Sequence, residues 1–257
     1  MANVFDLPGM AAGYAKSRPE VHPHIIERAR KYLPMPLPVA HALDVGCGAG
    51  LFTRALQSIA RHAFGIDPSL ALVKCASALV PGADFRMGIA ESLPVPPRSM
   101  DLVAAAGSLN YADLNRFFAE AVRALRVGGA LLVYDFSPGR SFRDSNRLDL
   151  WFTDFLNRYP MPIGSGHEVS PEILSSSESG LRLCGHEDFE VGLVVDGAFY
   201  LEYMMTETNV ATAVQSGVPE QSIRAWCADN LEPVFQGVPR EVLFRGYFAV
   251  LLEGPVP

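Results

Sequence analysis

The chain has 257 residues, 49% hydrophobic and 19% charged, with 21 lysines and arginines against 28 aspartates and glutamates. That is apolar material for one large α/β domain, or a domain with a lid, while the net charge of −7 argues against a general nucleic-acid binder. No apolar run approaches the ~20 residues needed to cross a bilayer, and the N-terminus lacks a basic segment followed by an apolar core, so neither a membrane span nor a secretory signal is expected.

From Ala42 to Phe136 short strands alternate with helices, the pattern of a parallel sheet with helices on both faces. Ala42 to Val45 reads as the first strand. It breaks into three alternating glycines, Gly46, Gly48 and Gly50, before a helix from Leu51 to Ala60. His62 to Ile66 is the second strand, followed by Asp67-Pro68-Ser69, with Ser69 capping a helix to Leu79. A short third strand covers Ala83 to Met87, and Met100 to Ala106 is apolar nearly throughout, as a strand buried on both faces is. Phe117, Phe118, Ala121, Val122 and Leu125 recur at helical spacing over Leu114 to Leu125, with Gly128-Gly129 as the stop and Ala130 to Phe136 as the fifth strand. Beyond it, Arg147 to Tyr159 reads as an aromatic-rich helix, and Ser170-Pro171-Glu172 as a helix start. Phe189 to Val195 reads as a strand, Phe199 to Gln215 and Pro219 to Phe235 as helices, and Glu241 to Leu252 as a last strand with a bulge at Gly246. The four cysteines (Cys47, Cys75, Cys184, Cys227) form no C-x-x-C pair and no zinc-like cluster, which points to a reduced, cytoplasmic setting with no metal site.

Strand, glycine-rich turn and helix bring backbone close to a nucleotide-like ligand, because glycine has no Cβ. Asp44 qualifies that ligand. A carboxylate just before the turn opposes a pyrophosphate, which wants positive potential, and favours a cation. The spacing G-x-G-x-G also departs from the G-x-G-x-x-G of dinucleotide folds, so a nicotinamide-dependent oxidoreductase is disfavoured. Asp67, about twenty residues after the turn at the end of the second strand, stands where nucleoside-binding folds place a carboxylate for the ribose hydroxyls.

With Asp44 to Gly50, Gly65-Ile66-Asp67, Gly88-Ile89-Ala90-Glu91-Ser92-Leu93-Pro94, Asp101-Leu102-Val103 leading to Gly107-Ser108, and Glu120 to Gly129, the chain resembles the class I S-adenosylmethionine-dependent methyltransferases. Tyr14-Ala-Lys-Ser-Arg18-Pro19 is similar to a segment of their type 11, ubiquinone/menaquinone C-methyltransferase-like branch. The resemblance covers residues 14 to 137. It implies a doubly wound, mostly parallel seven-stranded sheet, Rossmann-like, with a helical insertion. Residues 1–137 would be an N-terminal arm and the cofactor half of a single α/β domain, 138–235 a helical lid with substrate-facing segments and strand six, and 236–257 the last strand.

The cofactor implied is S-adenosylmethionine, held by Tyr14, Arg18, Asp44, Gly46, Cys47, Gly48, Asp67, Pro68, Ile89, Ala90, Glu91 and Gly107, with Arg18 on its carboxylate. Ile89 replaces an aspartate that many members use on the adenine amino group, so apolar packing and backbone bonds from Ala90 or Glu91 are expected there. The implied reaction is in-line methyl transfer to a small apolar or aromatic acceptor, with catalysis mainly by proximity. No base stands out. Asn110, Tyr111 and Asp135 fall at strand ends, His167 on a loop, and Tyr203 among the aromatic residues of 138–235. Tyr200, Tyr203 or Met204 are expected to touch the acceptor, and Trp151 and Phe155 to close a lid. The partner expected is a small molecule, with neither nucleic acid nor membrane, in a monomer or homodimer. A cofactor-binding module that has lost turnover is the alternative reading.

Overall fold

A computed structural model describes residues 13, 16–162, 166–175 and 180–253. In chain order it contains α1 (His22–Ala29), β1 (Val39–Val45), α2 (Leu51–Leu56), β2 (Ala60–Asp67), α3 (Leu70–Leu79), β3 (Asp84–Met87), β4 (Met100–Ala106), α4 (Leu114–Ala124), β5 (Leu125–Phe136), β6 (Ser141–Phe142), α5 (Arg147–Arg158), α6 (Pro171–Leu174), β7 (Leu181–Val195), α7 (Gly197–Met204), α8 (Thr208–Gln215), α9 (Glu220–Phe235) and β8 (Arg240–Glu253). The strands form a sheet in the order β3-β2-β1-β4-β5-β8-β6, with β7 also paired to β8. The chain divides into two compact units. A sheet unit comprises the described parts of Val21–Phe136, Gly166–Phe189 and Gly246–Pro257; a helical unit comprises those of Met1–Glu20, Ser137–Ser165 and Glu190–Arg245.

In the sheet unit β1 to β5 are mutually parallel, and β8 runs antiparallel to β5 from Ala130↔Leu252 to Phe136↔Gly246. The central strands are apolar because helices cover both faces: Leu102, Val103, Ala104 and Ala105 are fully buried. Phe117, Phe118, Ala121 and Ala124 of α4 join Val103, Leu131, Val133, Ala249 and Leu251 in one core. Side-chain caps start the helices, Ser69 accepting from Leu72 N–H and Asp113 from Arg116 N–H. β1 lies between β2 and β4, so the order of connection reverses there, and the crevice at the carboxyl ends of β1 and β4 is where such sheets bind ligands.

The helical unit is held by aromatic residues. Trp151 and Phe155 of α5 stack at 5.1 Å, and Trp226 of α9 lies 6.0 Å from Trp151. Tyr200, Tyr203 and Met204 of α7 are buried, and Tyr200 Oη donates to Gly139 O at 2.5 Å. β6 pairs with Val242 and Leu243 of β8.

Several boundaries differ from the sequence reading. The helix expected to reach Leu125 stops at Ala124, and the strand expected from Ala130 begins at Leu125. Leu125 pairs with Met100, and a register shift between Met100 and Leu102 lets the strand run through Gly128 and Gly129. The single helix expected over Phe199 to Gln215 is two, parted at Met205-Thr206-Glu207, where Thr206 Oγ1 donates to Tyr203 O at 2.7 Å. β7 starts at Leu181, eight residues earlier than read, through a stretch whose side chains mostly face out. Gly246 lies in unbroken register and is no bulge. A Cβ there would overlap Asp135 O, so the glycine permits a close approach of two strands.

Leu131 is fully buried in β5, whereas Val127 is 89% exposed. Leu131→Ala is expected to cost about 2–5 kcal/mol and Val127→Ala no more than about 0.5 kcal/mol, as read by urea denaturation followed by far-UV circular dichroism.

Candidate active site

The turn after β1 needs its glycines. Gly46, Gly48 and Gly50 have φ of 72°, 54° and 84°, values that side chains resist, and a Cβ at Gly46 would overlap the Ser108 side chain. Ser108 Oγ in turn donates to Val45 O at 2.6 Å. The turn is pinned to β2, since Gly46 N–H and Cys47 N–H both donate to Ile66 O at 2.8 Å. Asp67, 6% exposed, completes the attachment: Oδ2 accepts from Gly48 N–H at 3.0 Å and Oδ1 from Ser69 N–H at 2.8 Å. Cys47 is buried, and burial pushes its thiol far above the ordinary value, so it is a small wall residue and no nucleophile.

Asp44 is fully buried. Its Oδ2 accepts from Thr53 Oγ1 at 2.6 Å, while Oδ1 has no hydrogen-bond partner. Burial pushes its pKa up to about 7; the Thr53 hydrogen bond opposes the shift and the Asp67 charge adds to it. A buried carboxylate with an orphaned oxygen is costly unless a donor or cation arrives. With a turn made of glycines and small residues, this donor and acceptor set fits an adenosine linked to an ammonium group.

The loop after β3 flanks the turn. Met87 is in register with Asp67, and Gly88 N–H donates to Asp67 O at 3.2 Å. Met87, Ile89 and Leu70 are exposed apolar side chains, 55%, 47% and 47% accessible. Sequence reading singled out Ile89 and missed Leu70 and Met87; Met87 ends β3 and Leu70 opens α3 shortly after β2, and that position past the carboxyl ends of neighbouring strands is the signal that would have found them. Pro68 is exposed and Ala90 half-buried. Glu91 is tied down: its Oε1 accepts from Asp113 N–H at 2.8 Å, at the start of α4. Arg123 clamps the same loop through Leu93 O, Val95 O and Glu120.

Gly107 (φ 60°) follows β4, exposed. Beyond it Asn110 Nδ2 donates to Asp135 Oδ2 and to His167 O, both at 3.2 Å, so the structure brings Asn110, Asp135 and the His167 backbone together. The His167 side chain is exposed, as is Tyr111, at 63%. Arg18 and Tyr203 lie in the helical unit. There Arg18 pairs with Glu207 at 3.2 Å, donates to Thr206 O at 3.3 Å and sits over the Tyr203 ring. Tyr200, Tyr203, Met204, Trp151 and Phe155 are all buried in that unit. Tyr14 lies outside the described residues.

Residues 43–133 match the methyltransferase domain family. The phthiotriol/phenolphthiotriol dimycocerosates methyltransferase of Mycobacterium leprae is 34% identical over 137 residues, covering 51% of this chain and 48% of that protein. The chain spans about half the length of the curated relatives it matches. Among solved structures, a type II methyltransferase candidate of Anaeromyxobacter dehalogenans superposes with a TM-score of 0.69 at 22% identity, over 89% of this chain and 94% of that one. A geranyl diphosphate methyltransferase in complex with S-adenosylmethionine gives 0.51 at 18% identity, over 96% and 92%. These likenesses concern the fold, which is the Rossmann-like α/β fold of class I methyltransferases.

A carboxyl whose folded pKa is raised to about 7 from an unfolded value near 4 contributes its full stability only below about pH 4, and the contribution is lost as pH rises to about 7. Asp44→Asn is therefore expected to gain on the wild type, in melting temperature, between pH 5 and pH 8. A gap constant over that range would refute the burial argument.

Proposed function

We propose that this chain, a class I methyltransferase by its domain over residues 43–133 and by its fold, transfers the methyl group of S-adenosylmethionine to a small apolar or aromatic acceptor. The observation that carries the reading is Asp44, a fully buried carboxylate with one unpartnered oxygen beside a turn of three positive-φ glycines. The ammonium group of the methionine part would satisfy that need and hold Asp44 ionised. Asp67, whose two oxygens accept N–H bonds from the turn and from the head of α3, is the carboxylate assigned to the ribose hydroxyls. Leu70, Met87 and Ile89 offer the adenine an apolar bed, with backbone bonds from Ala90 and Glu91.

When bound, S-adenosylmethionine supplies a methyl carbon on a positively charged sulfur. The residues of the chain bind and orient it, and alignment of two reactants is worth ~7–11 kcal/mol of barrier. The relative from Mycobacterium leprae acts, by its name, on phthiotriol and phenolphthiotriol dimycocerosates, which supports a small-molecule acceptor here. We assign acceptor choice to residues 138–235, which hold both tryptophans of the chain.

Calorimetry is expected to show binding of S-adenosylmethionine and S-adenosylhomocysteine and none of NAD. Gly46→Val should weaken that binding at least ~100-fold, since its side chain takes the space of Ser108. Because the ligand selects ionised Asp44, affinity should rise with pH, by up to ~10-fold per unit below pH 7, and Asp44→Asn should flatten that rise. NAD binding, or full affinity in Gly46→Val, would overturn the assignment.

A further inference from the structure

The sheet unit gathers a second polar group at the carboxyl ends of β4 and β5. Asp135 is partly exposed. Its Oδ1 accepts from Phe136 N–H at 2.8 Å and its Oδ2 from Asn110 Nδ2 at 3.2 Å. Asn110 is held from the other side by the segment 166–169. It accepts from His167 N–H through its backbone oxygen at 2.8 Å and donates through Nδ2 to His167 O at 3.2 Å. Gly166 (φ 103°) lies so close that a Cβ would stand 3.0 Å from Asn110 O. The end of the segment is tied by Tyr247 Oη, which donates to Val169 O at 2.6 Å, and Tyr247 is the cross-strand partner of Asp135. Exposed Gly107 borders the carboxylate: a Cβ there would stand 3.3 Å from Asp135 Oδ1, so the missing side chain leaves that oxygen approachable. The amide of Asn110 is thus aimed by bonds that do not need the carboxylate, and it aims the carboxylate in turn.

We propose that Asp135 takes the acceptor's proton, that Asn110 is its positioning residue, and that the acceptor is a hydroxyl compound of the phenol or enol type. The proposal rests on the methyl-transfer reading above. The donors that hold Asp135 are neutral, the Asn110 amide and a backbone N–H. The titratable groups that approach from packed elements are Tyr247 of β8 and, on the 166–169 segment and α6, Glu168 and Glu172, which act on Tyr247. Burial holds the Asp135 carboxyl above the usual carboxylate range, with Asn110 and Phe136 N–H opposing, which brings it nearer in strength to a weakly acidic hydroxyl. In the step, a lone pair of the acceptor oxygen forms the new O–C bond to the methyl carbon. The C–S bond breaks with its pair passing to sulfur, which becomes neutral. The hydroxyl proton goes to Asp135 Oδ1 and then to solvent.

The test uses 4-methoxyphenol, phenol and 4-nitrophenol, with 4-methoxyaniline as control, and reads methyl transfer by mass. The wild type should methylate the phenols and not the aniline. Asp135→Asn should keep its affinity for S-adenosylmethionine and lose at least ~100-fold in kcat on 4-methoxyphenol. It should lose less than ~10-fold on 4-nitrophenol at pH 8, where that phenol needs no base. Wild-type kcat should level off with rising pH, whereas in Asp135→Asn it should keep climbing as the phenol itself ionises; Asp135→Glu should recover part of the rate. Equal losses on all three phenols, transfer to the aniline alone, or bound S-adenosylmethionine with no phenol methylated would overturn the proposal and leave the methyl-transfer reading standing. Failure of the wild type to bind S-adenosylmethionine would overturn both, and calorimetry tells the cases apart.

Discussion

Asp67 binds two backbone N–H groups at once, one from Gly48 in the turn and one from Ser69 at the head of α3. Ile66 O, one residue earlier, takes two more from Gly46 and Cys47. Four donors from two loops therefore converge on adjacent residues at the end of one strand. Glycines have the most conformational freedom to lose, and these bonds are what set the turn in one shape. Packing adds to the constraint. A Cβ at Gly65 would overlap Phe85 and Cys47, so β2 must be bare at the point where the turn folds back on it.

Asp44 adds an electrostatic constraint to this mechanical one. Its carboxyl is walled off from water, satisfied on one side by Thr53 and unsatisfied on the other. Such a group is neutral or paired, and near pH 7 it stands at the balance point between the two. A cationic ligand moves that balance, whereas a phosphate would meet two carboxylates.

The sheet was legible because its cues are local. Apolar runs mark the parallel strands and helical spacing the helices between them, and Asp44, Gly46 and Asp67 are picked out by their place around the glycine-rich turn. Less was legible where bonding is long-range or uses the backbone. The break between α7 and α8 falls at Met205-Thr206-Glu207, which holds neither proline nor glycine, and it is bonded by Arg18, almost two hundred residues earlier. Asn110 meets the main chain at His167, and backbone atoms leave no pattern in side-chain identity. Glu91 is expected from the sequence to face the cofactor, and the bond its side chain makes to Asp113 N–H has no cue in the sequence. The first half of β7 carries no clean alternation: Arg182, Leu183 and Cys184 are all exposed, and Gly185-His186-Glu187-Asp188 resembles a turn in sequence.

The nest of rings around Trp151 has an optical corollary. The chain has two tryptophans, Trp151 and Trp226, and both belong to the helical unit. Tryptophan emission therefore arises from that unit. A ligand seated on the glycine turn, or a lesion that loosens the parallel strands, has no indole of its own unit to report it.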